Sequence, residues 1–242
     1  MRYLVKLSYD GADFCGWQIQ PSAPTVQKSL EQALGTLLKE EVSVTGAGRT
    51  DTGVNAVGYV AHFDTAAKLE CAQFRYKLNA ILPPSIAVSL VEKTPDDFHA
   101  RFDATRREYT YFLHREKDPF VRNHSFLCTY PLDFEAMNKA AGALLGKHDF
   151  SCFEKTGADS KTSVCTVTEA GWFKTDDTHW YFRIAADRFL RNMVRAIVGT
   201  LIEVGRGKRG VESVSSLLEG GARCDAGESV PGNALFLTEI NY

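Results

Sequence analysis

Apolar and polar positions alternate from Arg2 to Tyr9, with Tyr3, Val5, Leu7 and Tyr9 on one side, and Asp10-Gly11 closes the run as a turn. The period then changes. Val26, Leu30, Ala33, Leu34, Leu37 and Leu38 share one stripe of a helix that Thr25 caps and that runs to Lys39. The pattern next predicts a short strand over 42–45, a glycine-rich loop, and a strand over 57–63. A helix over 70–80 stops before Pro83-Pro84, and a strand over 86–91 follows. The first half reads β-α-β-β-α-β.

The second half repeats that order more loosely. Tyr109, Tyr111 and Leu113 alternate in a strand from Arg107 to Leu113, and a helix runs from Phe134 to Leu145, ended by Gly146. Residues 163–173 and 179–185 read as a hairpin around Thr175-Asp176-Asp177. Asp187 is placed to cap a helix reaching Val204, which Gly205 stops. A helical piece over 211–218 and a last strand over 235–240 complete the chain. The twofold order predicts an α+β protein of two tandem ferredoxin-like units, 1–104 and 105–242. They are expected to form one central, mainly antiparallel sheet with a cleft between them. One α+β domain with accidental symmetry is the alternative.

Composition narrows the class. Of 242 residues, 44% are hydrophobic and 24% charged, the usage of a globular protein able to bury a core without disulfides or metal. No apolar run approaches the roughly 20 residues of a membrane span, and the N-terminal stretch lacks the apolar core of a signal peptide. Neither membrane insertion nor secretion is expected. None of the six cysteines are at Cys-x-x-Cys spacing and the six histidines show no ligand spacing, so no metal site is expected. Scattered single cysteines fit a reducing, cytoplasmic setting. The net charge of -2 decides nothing about a polyanionic partner; only a local basic cluster could.

Three segments carry candidate chemistry. Gly46-Ala47-Gly48-Arg49-Thr50-Asp51-Thr52-Gly53-Val54-Asn55-Ala56 joins two strands, and its glycines permit close backbone approach. A dinucleotide fingerprint fails here because Asp51 stands where the third glycine is needed and a strand, not a helix, follows. A phosphate loop fails for want of Gly-Lys-Ser/Thr. Two readings remain: a turn whose aspartate caps its own backbone, and a carboxylate held rigidly for catalysis. In the second segment, helical geometry would put Arg188, Arg191 and Arg195 on one face, opposite Leu190, Met193, Val194 and Ile197. Between 180 and 210 seven basic residues face two acids in the sequence, which suits an extended anion such as a phosphodiester backbone, or simply a solvated helix face. In the third, Phe98-His99-Ala100-Arg101-Phe102 leads into Arg106-Arg107-Glu108-Tyr109-Thr110-Tyr111. There aromatic rings suited to stacking bases interleave with arginines; a core strand with a salt-bridged start is the plainer reading.

Together the motifs resemble the bacterial tRNA pseudouridine synthase A (TruA) family over almost the whole chain. Tyr9-Asp10-Gly11-Ala12-Asp13-Phe14-Cys15-Gly16-Trp17-Gln18 is similar to its opening motif, and Gly48-Arg49-Thr50-Asp51-Thr52-Gly53-Val54 to its catalytic loop. Residues 95–111, Gly146-Lys147-His148-Asp149-Phe150 and 189–205 resemble later motifs. The resemblance implies isomerisation of uridine to pseudouridine at positions 38, 39 and 40 of the tRNA anticodon stem-loop, without a cofactor, by a cytoplasmic homodimer. It places the catalytic aspartate on Asp51, the tyrosine that stacks on the target base on Tyr109, the arginine that pairs with the aspartate on Arg195, and the base-extruding arginine on Arg49. Arg188 and Arg191 are expected to contact substrate phosphates. Thr52, Asn55 and Ala234 depart from the family's usual residues; the first two flank the aspartate and leave it in place.

Two other classes compete. A catalytically silent tRNA-binding module would share the basic surface but would not need Asp51, Tyr109 and Arg195 together. A hydrolase of a ribosyl bond normally needs two acids flanking the bond, and this loop offers one.

Overall fold

Local sequence accounts for most element boundaries in the computed structural model, which describes residues 1–157 and 161–242. The alternation at the start becomes strand β1 (Arg2–Tyr9), which buries Tyr3, Val5, Leu7 and Tyr9. Helix α1 (Val26–Leu38) begins where the Thr25 side chain accepts a hydrogen bond from the Lys28 N–H, and ends at Lys39 in the left-handed conformation. Its stripe buries Val26, Leu30, Ala33 and Leu34. Strand β2 (Val44–Gly46) is shorter and later than expected, because it pairs with only Ala61, His62 and Phe63 of β3 (Asn55–Asp64). Helix α2 (Cys71–Ile81) and strand β4 (Ile86–Thr94) follow.

The described residues divide into two compact units, Met1–Thr105 with Leu237–Tyr242, and Arg106–Phe236. In the first, β1 pairs antiparallel with both β3 and β4, giving the order β4-β1-β3, and β2 adds to one end of β3. The terminal strand β10 (Leu235–Asn241) also neighbours β3. That pairing groups Leu237–Tyr242 with the first unit, whereas the sequence assigned the whole of 105–242 to the second.

The second unit contains β5 (Arg106–His114), β6 (Phe126–Leu127), α3 (Phe134–Ala141), β7 (Gly146–Asp149), β8 (Val164–Lys174), β9 (His179–Ala186), α4 (Met193–Gly205) and α5 (Ser213–Leu218). Its strand order is β5-β9-β8-β7, antiparallel throughout, with β6 parallel to β5. Tyr111, Leu113, Phe182, Ile184 and Trp172 from the sheet are buried, as are Met137, Ala140, Met193, Ile197 and Leu201 from α3 and α4. The fold is α+β, with mainly antiparallel pairing in each unit. No helix among the described residues is long and apolar enough to cross a membrane.

Two helices differ from the sequence pattern. The one expected to reach Leu145 ends at Ala141 and passes into a 3-10 turn over Gly142–Leu144, and Gly146 opens strand β7 instead of capping a helix. The helix expected from Asp187 begins only at Met193. Asp187 Oδ1 is occupied by the backbone N–H groups of Thr166 and Arg188 at 2.8 and 2.7 Å, so it ties down the end of the β8–β9 hairpin. The residue preceding the helix is Asn192, at φ 67° in the left-handed region, with no side-chain cap. Arg188 and Arg191 therefore lie in irregular backbone and do not share a helical face with Arg195.

Candidate active site

The aspartate loop is held by the segment that follows β1. Trp17 N donates to Thr50 O at 3.2 Å, and Gly53 N to Phe14 O at 3.4 Å. The Tyr9 hydroxyl lies 2.9 Å from Thr50 Oγ1 in a buried bond. Gly11 N donates to Asn55 Oδ1 at 2.8 Å, and Asn55 is 1% exposed. The asparagine that departs from the family pattern is thus a buried anchor between the opening motif and the start of β3. Within the loop, Val54 N donates to Asp51 O at 3.1 Å and Gly53 adopts φ 76°, a turn that closes directly after the aspartate. Asp51 itself is half-buried, while Arg49 and Thr52 are exposed. The turn that the sequence suggested exists, and the Asp51 backbone carbonyl accepts the bond that closes it.

The remaining predicted residues lie in the second unit. Tyr109 is on β5 opposite Ile184 and is half-buried, with its ring edge-on to Phe189 at 5.1 Å between centroids and 87° between planes. Phe189 belongs to the irregular stretch that carries Arg188 and Arg191, so this stretch packs beside the tyrosine. Arg195 is in the first turn of α4. Its Nε donates to Val230 O at 2.7 Å, and Val230 N donates back to Arg195 O at 3.2 Å. Tyr111, two residues beyond Tyr109 on the same face, is fully buried, and its hydroxyl donates to Pro231 O. Burial pushes the Tyr111 phenol well above its ordinary range, partly opposed by the Arg195 charge. The segment around Val230 therefore braces both Arg195 and the strand that presents Tyr109.

The basic excess between 180 and 210 is smaller in space than in sequence. Arg183 pairs with Glu169 through Nε at 2.6 Å and Nη2 at 2.5 Å, and its guanidinium lies over the Phe173 ring. Arg209 pairs with Glu203, and Arg206 stacks on Tyr130 at 3.6 Å. These arginines serve structure within the second unit. His148 and Asp149 are adjacent on β7 and turn to different partners: Asp149 Oδ1 accepts from Ser151 N, and His148 Nε2 donates to Leu145 O. Among the described residues, no group of three or more His, Cys, Asp or Glu could hold a metal ion.

Sequence reasoning missed Tyr59. This fully buried residue of β3 stacks on Trp17 with centroids 4.1 Å apart, and its hydroxyl donates to Gly48 O in the aspartate loop. Its signal was faint: a tyrosine in a mostly apolar strand, beyond a loop with a glycine at each end.

Comparison with known proteins follows the same motifs. A family model described as tRNA pseudouridine synthase matches residues 7–103 and 140–242. Proteins named tRNA pseudouridine synthase A from Bacteroides thetaiotaomicron, Bacteroides fragilis and Bacillus subtilis are 50%, 48% and 42% identical to this chain. Each alignment covers 100% of this chain, and 90%, 96% and 99% of those proteins respectively.

Proposed function

The chain belongs to the tRNA pseudouridine synthase family and is an isomerase, and from that premise we propose that it converts uridine to pseudouridine at positions 38, 39 and 40 of the tRNA anticodon stem-loop. Asp51 is the catalytic carboxylate in this reading. Tyr109 and Arg195 hold the uridine, Arg49 extrudes it, and Arg188 and Arg191 contact phosphates. The protein acts as a cytoplasmic homodimer without a cofactor.

The reaction breaks the N1–C1′ bond, turns the uracil and joins C5 to C1′. The proton leaves C5 and N1 ends protonated, so the base keeps its composition and oxidation state. Such a rearrangement asks for no electron carrier. It asks for a carboxylate that acts as nucleophile or base at a fixed place, and for side chains that hold a nucleotide out of its stack. Unstacking costs a few kcal/mol, which phosphate contacts offset.

One observation carries the reading. The Asp51 loop is anchored on both sides of the aspartate by the Thr50, Gly53 and Val54 backbone bonds, which hold a half-buried aspartate at a fixed place. A silent binding module has no use for so rigid an acid. The test is incubation with an unmodified tRNA transcript followed by mapping of every modified uridine. Pseudouridine confined to positions 38–40 is expected. Release of free uracil, or modification outside the anticodon arm, would overturn the proposal.

A further inference from the structure

The aspartate loop rests on a cluster of three aromatic rings from separate parts of the first unit. Tyr9 ends β1, Trp17 follows it, and Tyr59 is in the middle of β3. Trp17 and Tyr59 stack with 28° between planes, and Tyr9 meets Tyr59 edge-on at 5.6 Å. All three are at most 4% exposed. A phenylalanine would fill the space of either tyrosine ring, so packing alone does not call for the hydroxyls. Buried phenols need partners, and both of these find one in the loop. Tyr59 Oη donates to Gly48 O, and Tyr9 Oη bonds Thr50 Oγ1. The two contacts fall on either side of Arg49 and immediately before Asp51.

The loop in turn is shaped to admit the rings. A Cβ at Gly46 would lie 2.2 Å from Tyr59 Oη and 2.6 Å from the Trp17 indole, so any side chain there would displace the stack. A Cβ at Gly16, which has φ 88°, would lie 2.3 Å from Thr50 O, the acceptor of the Trp17 N–H. Backbone and hydroxyl contacts thus converge on residues 48–50 from two strands.

We propose that Tyr59 and Tyr9 are positioning residues for the reaction: their hydroxyls fix the peptides at Gly48 and the side chain of Thr50, and so set where Asp51 and Arg49 point. This rests on Asp51 being the catalytic carboxylate. A misplacement of about 1 Å at a reacting group is enough to cost on the order of 100-fold in rate. Loss of one hydroxyl should therefore slow chemistry without touching a tRNA contact.

The experiment compares the full-length protein with Tyr59→Phe, Thr50→Val and Asp51→Asn on an unmodified tRNA transcript. It reads the single-turnover rate with enzyme in excess, the tRNA dissociation constant and the melting temperature. Tyr59→Phe keeps the stack on Trp17, and Thr50→Val removes the partner of the Tyr9 hydroxyl at similar volume. Each is expected to lower the rate on the order of 10- to 100-fold, with tRNA affinity within about three-fold of wild type. A merely structural role would lower the melting temperature and the active fraction, but the folded molecules would turn over at the wild-type rate. Rates within two-fold of wild type in both variants, with Asp51→Asn inactive, would overturn this inference and leave the reading of Asp51 intact. An active Asp51→Asn would overturn both. If Tyr59→Phe does not fold, Thr50→Val alone decides.

Discussion

Arg195 and Val230 hold each other at both ends, the guanidinium Nε donating to Val230 O at 2.7 Å and the Val230 N–H donating to Arg195 O at 3.2 Å. The bond to Nε fixes the plane of the guanidinium and leaves its Nη groups directed by that plane. Lysine would keep the charge but has neither the fork nor the Nε donor. Arg195→Lys should lower turnover by at least about 10-fold while tRNA affinity changes a few-fold at most. Steady-state kinetics beside a binding titration check this; a change confined to KM would point to a simple phosphate contact.

Asn192 makes the unusual start of α4 possible. It is at φ 67°, where asparagine is better tolerated than other non-glycine residues, and its Nδ2 donates to Ser229 Oγ at 2.6 Å. Asn192→Ala should destabilise the protein by about 1–2 kcal/mol, and Asn192→Gly by less, since glycine keeps the backbone but loses the bond. Urea unfolding of the three proteins gives the order directly.

The phosphate contacts proposed for Arg188 and Arg191 do not need the two to share a helix. If both contact phosphates from the irregular stretch beside Tyr109, changing both to glutamine should weaken all tRNAs about equally. It should also flatten the salt dependence of binding by roughly one unit per lost contact. Titrations at several salt concentrations read the slope, and an unchanged slope would mean that these side chains are merely solvated.

His62 makes stability sensitive to mild acid. It is 5% exposed, accepts the Ala100 N–H at Nδ1, and faces Arg2, His99, Asp64 and Asp103. Burial first, then the Arg2 and His99 charges, lowers its pKa to about 4 against the partial opposition of the two aspartates. The unfolded chain binds a proton below about pH 6.5 that the folded chain refuses until about pH 4. Stability from this residue is thus present above pH 6.5 and is lost as pH falls towards 4, by about 3 kcal/mol. His62→Asn keeps an acceptor for Ala100 without a titrating ring, so its unfolding free energy should fall less steeply over that window.

The sequence disclosed most where the determinants are local. Thr25 and the stripe of α1 were legible because cap and period lie within a few residues of each other, and the alternation of β1 and β5 was legible for the same reason. Asp187 misled because an aspartate before an apolar run looks like a cap; its carboxylate is engaged by Thr166, 21 residues away across a hairpin. The glycine-bounded loop stood out, but its supports did not. Tyr9 and Thr50 are 41 residues apart and Tyr59 is on another strand, so their convergence exists only once β1 and β3 have paired.

The central claim is that Asp51 performs chemistry and contributes little to holding tRNA. The most direct measurement is Asp51→Asn, nearly the same in shape, assayed in parallel for pseudouridine formation in an unmodified tRNA and for affinity to that tRNA. The account predicts no detectable product with affinity within a few-fold of wild type. Turnover near wild type, or loss of binding in step with loss of product, would contradict it.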